Sequence, residues 1–350
     1  MQGVPVSGRS SLVDICKAIG IVLVVWGHTP GMSDWIGDLI YSFHMPLFFF
    51  ISGYLLKTER LEQDLPRQIR ELVRTLLRPY VLFFVLSLAY FLATRNIGSR
   101  AGKLDELTVP DALYGLLTGL SSDLFVNMAL WFFPCMFVTQ VLYRLAWKIL
   151  PDDRWLAAGS GVIVAILMAP TLPWSTRLPW GLDIAWVALV FFSVGRWVRA
   201  SSALTQRVVA LPRRVRMPVM LTVLLAWLGL ALAQGRVDLA MAHFGPRWPS
   251  YFLTAFCGIA VVFAVASQLR ATLVVQWLAH NTLIIFPLHA LFINLGSGLV
   301  KMLGGGHYDQ LASVLFALWA IACTVPAAMV LKRYFSPMLG MPAARQGAAA

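Results

Sequence analysis

Charge is what this sequence has least of. Only 13% of its 350 residues are charged, against roughly a quarter in a soluble domain. That shortage excludes a water-covered surface. No polar stretch is long enough to fold by itself, so the 350 residues read as one domain. Cysteine is scarce too: Cys16, Cys135, Cys257 and Cys323 each sit inside an apolar run, without metal-ligand spacing. They read as small core residues. A cleavable signal peptide is also missing. The first apolar stretch, from Leu12, carries Asp14 and Lys17 and reaches His28 without a small-residue cleavage site. Repeats, low-complexity tracts and lipidation motifs are not found.

What is present is apolar length. Hydrophobic residues make up 59% of the chain, and mean hydropathy is +0.74. The solvent must be lipid, and the fold class is an all-α integral membrane protein. A spanning helix needs about 20 mainly apolar residues. Polar clusters and Pro/Gly punctuation then predict ten spans, near 11–29, 38–56, 73–93, 125–147, 155–172, 179–198, 217–234, 249–268, 273–295 and 311–332. Ten spans put both termini on one side. Of the 28 Lys and Arg residues, 21 fall on that side and 7 on the other. The positive-inside rule makes it the cytoplasmic side. The net charge of +12 therefore points to short basic loops and not to nucleic acid. The basic segment 199–216 reads as such an anchor. The longest outer loop, 94–124, is placed to cover the mouth of a cavity.

Ionisable residues inside a membrane cost roughly 2.5–3.5 kcal/mol each on insertion scales, so they mark function. Three places concentrate them. In DICKAIGIVLVVWGH, Asp14, Lys17 and His28 fall within about 40° of one another on a helix. Asp14 and Lys17 can pair, while His28 lies about 16 Å further along the axis from Lys17. In FHMPLFFFISGYLL, His44 precedes Pro46. There Ser52 and Gly53 read as a site of close helix approach. In RQIRELVRTLLRPY, Arg67, Arg74 and Arg78 fall within about 40°, with Arg70 to one side. That stripe suits either snorkelling at the boundary or a polyanionic partner, since arginine forks match phosphate oxygens.

At these residues the sequence resembles the acyltransferase family 3 membrane proteins, and within them the fucose 4-O-acetylase-like subgroup that includes acetyltransferases of bacterial surface polysaccharides. The resemblance is carried by DICKAIGIVLVVWGH (14–28), FHMPLFFFISGYL (43–55), the arginines before Pro79, LWFFPCMFV (130–138), LPWGLDIAWVALVFFSVGRWV (178–198) and HNTLIIFPLHALF (280–292). In the last segment Ala279 and His280 replace the family's glycine and basic residue, and Thr282 replaces its serine. The resemblance implies a protein of the bacterial cytoplasmic membrane with no bound cofactor. Its co-substrate would be acyl-CoA, usually acetyl-CoA, approached from the cytoplasm. The acceptor would be a sugar hydroxyl on a glycan or a lipid-linked oligosaccharide. His28, with Lys17 and Asp14, would be catalytic. Arg67, Arg70, Arg74 and Arg78 would hold the acyl-CoA. His44, Trp131 and His289 would line the pore or the acceptor site. His28 would act either as a base toward the hydroxyl or as an acylated relay. The competing reading is a multi-span transporter or flippase for a lipid-linked glycan.

Overall fold

A computed structural model describes residues 8–95, 107–168, 177–201 and 212–341. The described residues are mainly helical. Its first helices are α1 (Gly8–Gly27), α2 (Asp34–Tyr41), α3 (His44–Leu55), the short α4 (Thr58–Leu61), α5 (Leu65–Leu72), α6 (Arg78–Thr94) and α7 (Val109–Thr118). They are followed by α8 (Phe132–Ile149), α9 (Asp153–Leu167), α10 (Leu182–Ala200), α11 (Arg213–Gln234), α12 (Trp248–Ala266), α13 (Leu273–His280), α14 (Thr282–Met302) and α15 (Gln310–Tyr334). Among the described residues the sole β-type pairing is an isolated antiparallel bridge between Asp238 and His243.

Eight helical segments among the described residues are long and apolar enough to cross a membrane: Asp34–Leu55, Leu65–Thr94, Met128–Ile149, Pro179–Ala200, Arg213–Gln234, Trp248–Ala266, Thr282–Met302 and Gln310–Tyr334. The chain is thus a multi-pass membrane protein. The other two sequence spans fall on α1, 20 residues long, and α9, 15 residues long. The far end of span five, the basic loop 202–211, part of the outer loop (96–106) and both chain ends lie outside the described residues.

Three boundaries differ from the sequence reading, each for a backbone reason. Span two is two helices, because the chain leaves helical geometry at Phe43 (φ −147°) before α3 begins at His44. Span three starts at Leu65 and not at 73. The arginine segment continues into the apolar helix through a π-helical turn, Val73–Leu77. An extra residue in a turn rotates everything beyond it, so the arginine alignment calculated at 100° per residue does not carry across. Span nine starts at Thr282, since Asn281 (φ −105°, ψ 9°) separates α13 from α14.

Local capping sets the other starts. Asp152 accepts from the amides of Arg154 and Trp155. Thr272 and Asp309 do the same for α13 and α15. Thr108 and Asp111 form a reciprocal capping box on α7, which holds the Asp111 carboxyl below the usual carboxylate range.

The sequence of α3 is apolar on every face, and ten of its twelve residues are buried. A helix hydrophobic all round belongs at the centre. There it crosses α10 backbone to backbone. A Cβ on Gly53 would stand 1.9 Å from the Phe192 carbonyl oxygen, and one on Gly195 would stand 2.1 Å from that of Phe50. The small-residue contact expected at Gly53 is this crossing. By contrast, α11 is apolar yet almost entirely unburied, as a lipid-facing helix is. At one end of the bundle a buried ion pair, Arg196–Asp153 at 3.3 Å, is completed by Tyr143, whose hydroxyl donates to Asp153 at 2.5 Å.

Gly53→Val and Gly195→Val should therefore each lower stability by about 3 kcal/mol or more, because neither backbone can retreat. Gly229→Val on α11, where nothing lies within 4 Å, should change it little. Thermal unfolding of the three variants in detergent checks this.

Candidate active site

The site begins where α1 ends. Gly27 closes the helix, and Pro30 follows two residues after His28. The chain turns at Gly31 (φ +82°), where its backbone lies against Tyr308 and Asp309 and a side chain would collide. Residues of the α15 start pin this turn. Ser313 Oγ receives Trp26 Nε1 at 3.0 Å and sits 2.6 Å from Thr29 Oγ1. Gln310 Oε1 accepts from both the amide and the hydroxyl of Ser33, at 2.9 and 2.8 Å.

His28 is held by its own helix. Its Nδ1 lies 2.8 Å from the Val24 carbonyl oxygen. A carbonyl only accepts, so Nδ1 carries the proton and a neutral ring keeps its lone pair on Nε2. His44 is fixed likewise on Ile40 O at 2.9 Å, and His289 on Phe286 O. These rings gather. The His28 centroid lies 5.0 Å from His289, 5.7 Å from Tyr41 and 6.5 Å from His44. Tyr41 lies 4.8 Å from His44 and donates from its hydroxyl to Gly27 O at 3.2 Å. His44 and His289 are buried, and His289 Nε2 is without a partner.

His28 itself is exposed, and its open side gives onto two cavities. The first, about 290 Å³, is lined by His28, Tyr41, His44, Trp131, Asn127 and Asp238 among others. Asn127 is oriented by donating to Ser87 Oγ at 3.0 Å and to the Pro287 carbonyl at 2.8 Å, which leaves its buried Oδ1 unpartnered. Below the site, Phe132 packs on Phe49 and Phe286 with centroids 5.2 and 5.0 Å away. The roof is residues 238–240, tied down where Ser121 Oγ and Arg177 Nη1 each donate to Ala240 O at 3.0 Å. Arg177 is itself anchored on Asp183 at 2.6 Å. Of the described part of the expected outer loop, residues 94–95 and 107–124, Ser121 lines this cavity; its other lining residues nearby, 125–129, belong to predicted span four. The second cavity, about 440 Å³, lies between His28, Asp34, Asp38, Tyr41 and Arg236.

A third cavity, about 320 Å³, sits at the other end of α3, lined by Lys57, Arg60, Glu71, Thr75, Gln140 and Arg144 among others. Arg144 is 5% exposed, and its Nε is buried without a partner. Arg60 pairs with Glu71.

The sequence candidates therefore separate into groups. His28, His44 and Trp131 line the first cavity, and His289, fully buried, packs against the His28 ring without lining it. Asp14 and Lys17 are half-buried on α1 and do not line the two cavities at His28. Asp14 is the charge that acts on Lys17, but among the described residues no closed ion pair joins them. Arg67, Arg70, Arg74 and Arg78 are all exposed and leave the third cavity to other basic residues. The sequence reading passed over Tyr41, Asn127, Arg236 and Asp238. It also passed over Arg144, Asp183 and Arg196, although all three fall inside predicted spans and the rule on intramembrane charge would have found them.

A sequence model of an acyltransferase domain matches residues 11–333 of this chain. Comparison with curated proteins and with solved structures gave no match.

Removing the tether of the roof should loosen it. In Arg177→Ala, amide hydrogen exchange over 236–243 should speed up by roughly tenfold, the loss of a charged hydrogen bond, while exchange in α3 stays as it was. Mass spectrometry of the exchanged protein reads both.

Proposed function

The chain belongs to the acyltransferase family 3, and we propose that this membrane acyltransferase moves an acetyl group from acetyl-CoA to a sugar hydroxyl of a bacterial surface glycan or its lipid-linked precursor. The observation that carries the reading is the tautomer of His28: Nδ1 is engaged by Val24 O, so the lone pair on Nε2 is free beside two cavities. A sugar hydroxyl is a poor nucleophile near neutral pH and needs such a base. In the proposed step the hydroxyl oxygen attacks the thioester carbonyl and its proton passes to His28 Nε2. The new C–O bond forms, the C–S bond breaks, and the proton leaves with the thiolate as free CoA. His44, His289 and Tyr41 hold the ring of His28 in place by contact.

The donor is proposed to approach from the cytoplasmic end, where α3 finishes. There Lys57, Arg60 and Arg144 line a cavity, and Arg67, Arg70, Arg74 and Arg78 lie exposed on the adjoining segment. The phosphates of CoA are polyanions, which forked guanidinium groups hold well. The acyl arm would follow α3, whose Ser52 lines the donor cavity and whose Met45 lines the catalytic one. These two residues are about 10 Å apart along the axis. With α1 and α9 also spanning, the chain crosses ten times, with both ends in the cytoplasm of a bacterial cell and Asp14 and Lys17 ordering the inner part of α1.

Incubation of the purified protein with labelled acetyl-CoA and a glycan is the direct test. Covalent label on the sugar supports the reading, whereas glycan uptake into vesicles without label would make the protein a carrier. His28→Ala should reduce transfer by roughly a thousandfold, within the range that a lost general base costs, while the protein still inserts. Arg144→Gln, and Arg74→Ala with Arg78→Ala, should raise KM for acetyl-CoA by roughly tenfold and leave KM for the sugar unchanged. The reverse pattern would move donor binding elsewhere.

A further inference from the structure

The second cavity at His28 is separate from the arginine-lined cavity proposed for the donor, and its lining has a chemistry of its own. Along α2, Asp34, Asp38 and Tyr41 recur at i, i+4 and i+7 and so fall on one face. All three line the cavity, facing Arg236. The Arg236 guanidinium lies 3.5 Å from the centroid of the Tyr41 ring. It fits there because residue 37 is glycine, whose Cβ would otherwise stand 2.0 Å from Arg236 Nη1. The lining thus offers two carboxylates that only accept and a guanidinium that only donates. It ends at His28.

We propose that this cavity is the acceptor subsite, and that it takes a neutral sugar bearing adjacent hydroxyls. Paired hydroxyls can donate to a carboxylate such as Asp38, while the ring and hydroxyl oxygens accept from Arg236. A volume of about 440 Å³ lies within the range of small-ligand pockets. Two carboxylates against one guanidinium leave the lining negative, so a uronate or phosphorylated sugar is repelled. The location also fixes the route. Asp34 and Leu55 are the two ends of one spanning segment. The subsite lies at the Asp34 end, and the arginine-lined cavity lies at the Leu55 end. Donor and acceptor therefore reach His28 from opposite ends of the bundle.

The inference rests on the acyltransferase reading for what happens to the sugar, but not for whether it binds. The test uses the whole protein in nanodiscs, with methyl glucoside and methyl glucuronide as probes that differ only in a hydroxymethyl or carboxylate group. Saturation-transfer NMR should show methyl glucoside bound and methyl glucuronide weaker by roughly tenfold. Asp38→Asn, Asp34→Asn and Arg236→Gln should each weaken the glucoside by roughly three- to tenfold. Asp38→Asn should also narrow the gap between the two probes. Gly37→Ala, which crowds Arg236 and removes no polar group, should weaken the glucoside likewise. Thermal stabilisation by CoA should persist in all four as the control for folding. Glucosyl-diacylglycerol, an uncharged lipid-borne glucose titrated in the same discs, tells whether the sugar arrives on a lipid; tighter binding than the soluble glucoside would say so, and either supports the subsite. Equal or stronger binding of the glucuronide, absence of glucoside binding, or indifference to all of the substitutions would overturn it. Glucoside binding without acetyl transfer to any glycan would leave the subsite standing and remove the acyltransferase step. Transfer that proceeds normally in the Asp38 and Arg236 variants would do the opposite.

Discussion

Hydrocarbon accepts no hydrogen bonds, so a helix inside a membrane can end only where its last carbonyls and amides find partners within the protein. That constraint decides where this molecule has its chemistry. The first helix stops at Gly27, and His28 turns back onto the Val24 carbonyl. The second span is interrupted just before His44, whose ring takes the Ile40 carbonyl. The ninth carries Pro287, and His289 takes the carbonyl of Phe286. His28 and His44 each take a carbonyl at a helix end, His289 takes one inside a continuous helix beside Pro287, and each is thereby fixed in the same tautomer. Helix termination and base preparation are one event here.

The glycine crossing of α3 and α10 helps to hold the three histidines in one site. With the Gly53 and Gly195 backbones in contact with the facing helix, α3 has no freedom to slide. His44 and Met45 at its start and Ser52 near its end are therefore held at fixed heights. The Asn127 amide adds a lateral tie, bridging α6 through Ser87 and α14 through Pro287. Above it, Arg177 and Ser121 converge on the single carbonyl of Ala240. Loops cover the first cavity at residues 238–240, packed aromatics lie beneath it, and His28 opens onto both cavities.

Much of this was legible in the sequence. Low charge and long apolar runs specified lipid as the solvent and helices as the elements, because no other structure lets an open chain satisfy its backbone there. His28, His44, His289 and Trp131 stood out as residues of unusual position, and Gly53 as a packing contact. Sequence spacing did less well with the arginines. The calculated stripe assumed an unbroken α-helix, while the segment contains a π-turn at Val73–Leu77. Arg144 falls inside predicted span four but was not weighed as an intramembrane charge, although its guanidinium is buried.

By itself the sequence determined the solvent, the helical class, the family and the residue types at the reaction centre, since each follows from composition or from motifs local to one helix. Only the tertiary structure decided that His28, from the first helix, meets His289, from the ninth span, and that Arg236 reaches across to Tyr41. These pairs are 261 and 195 residues apart in the chain. Their meeting depends on how separate helices pack around one another, and no periodicity within a single helix encodes that.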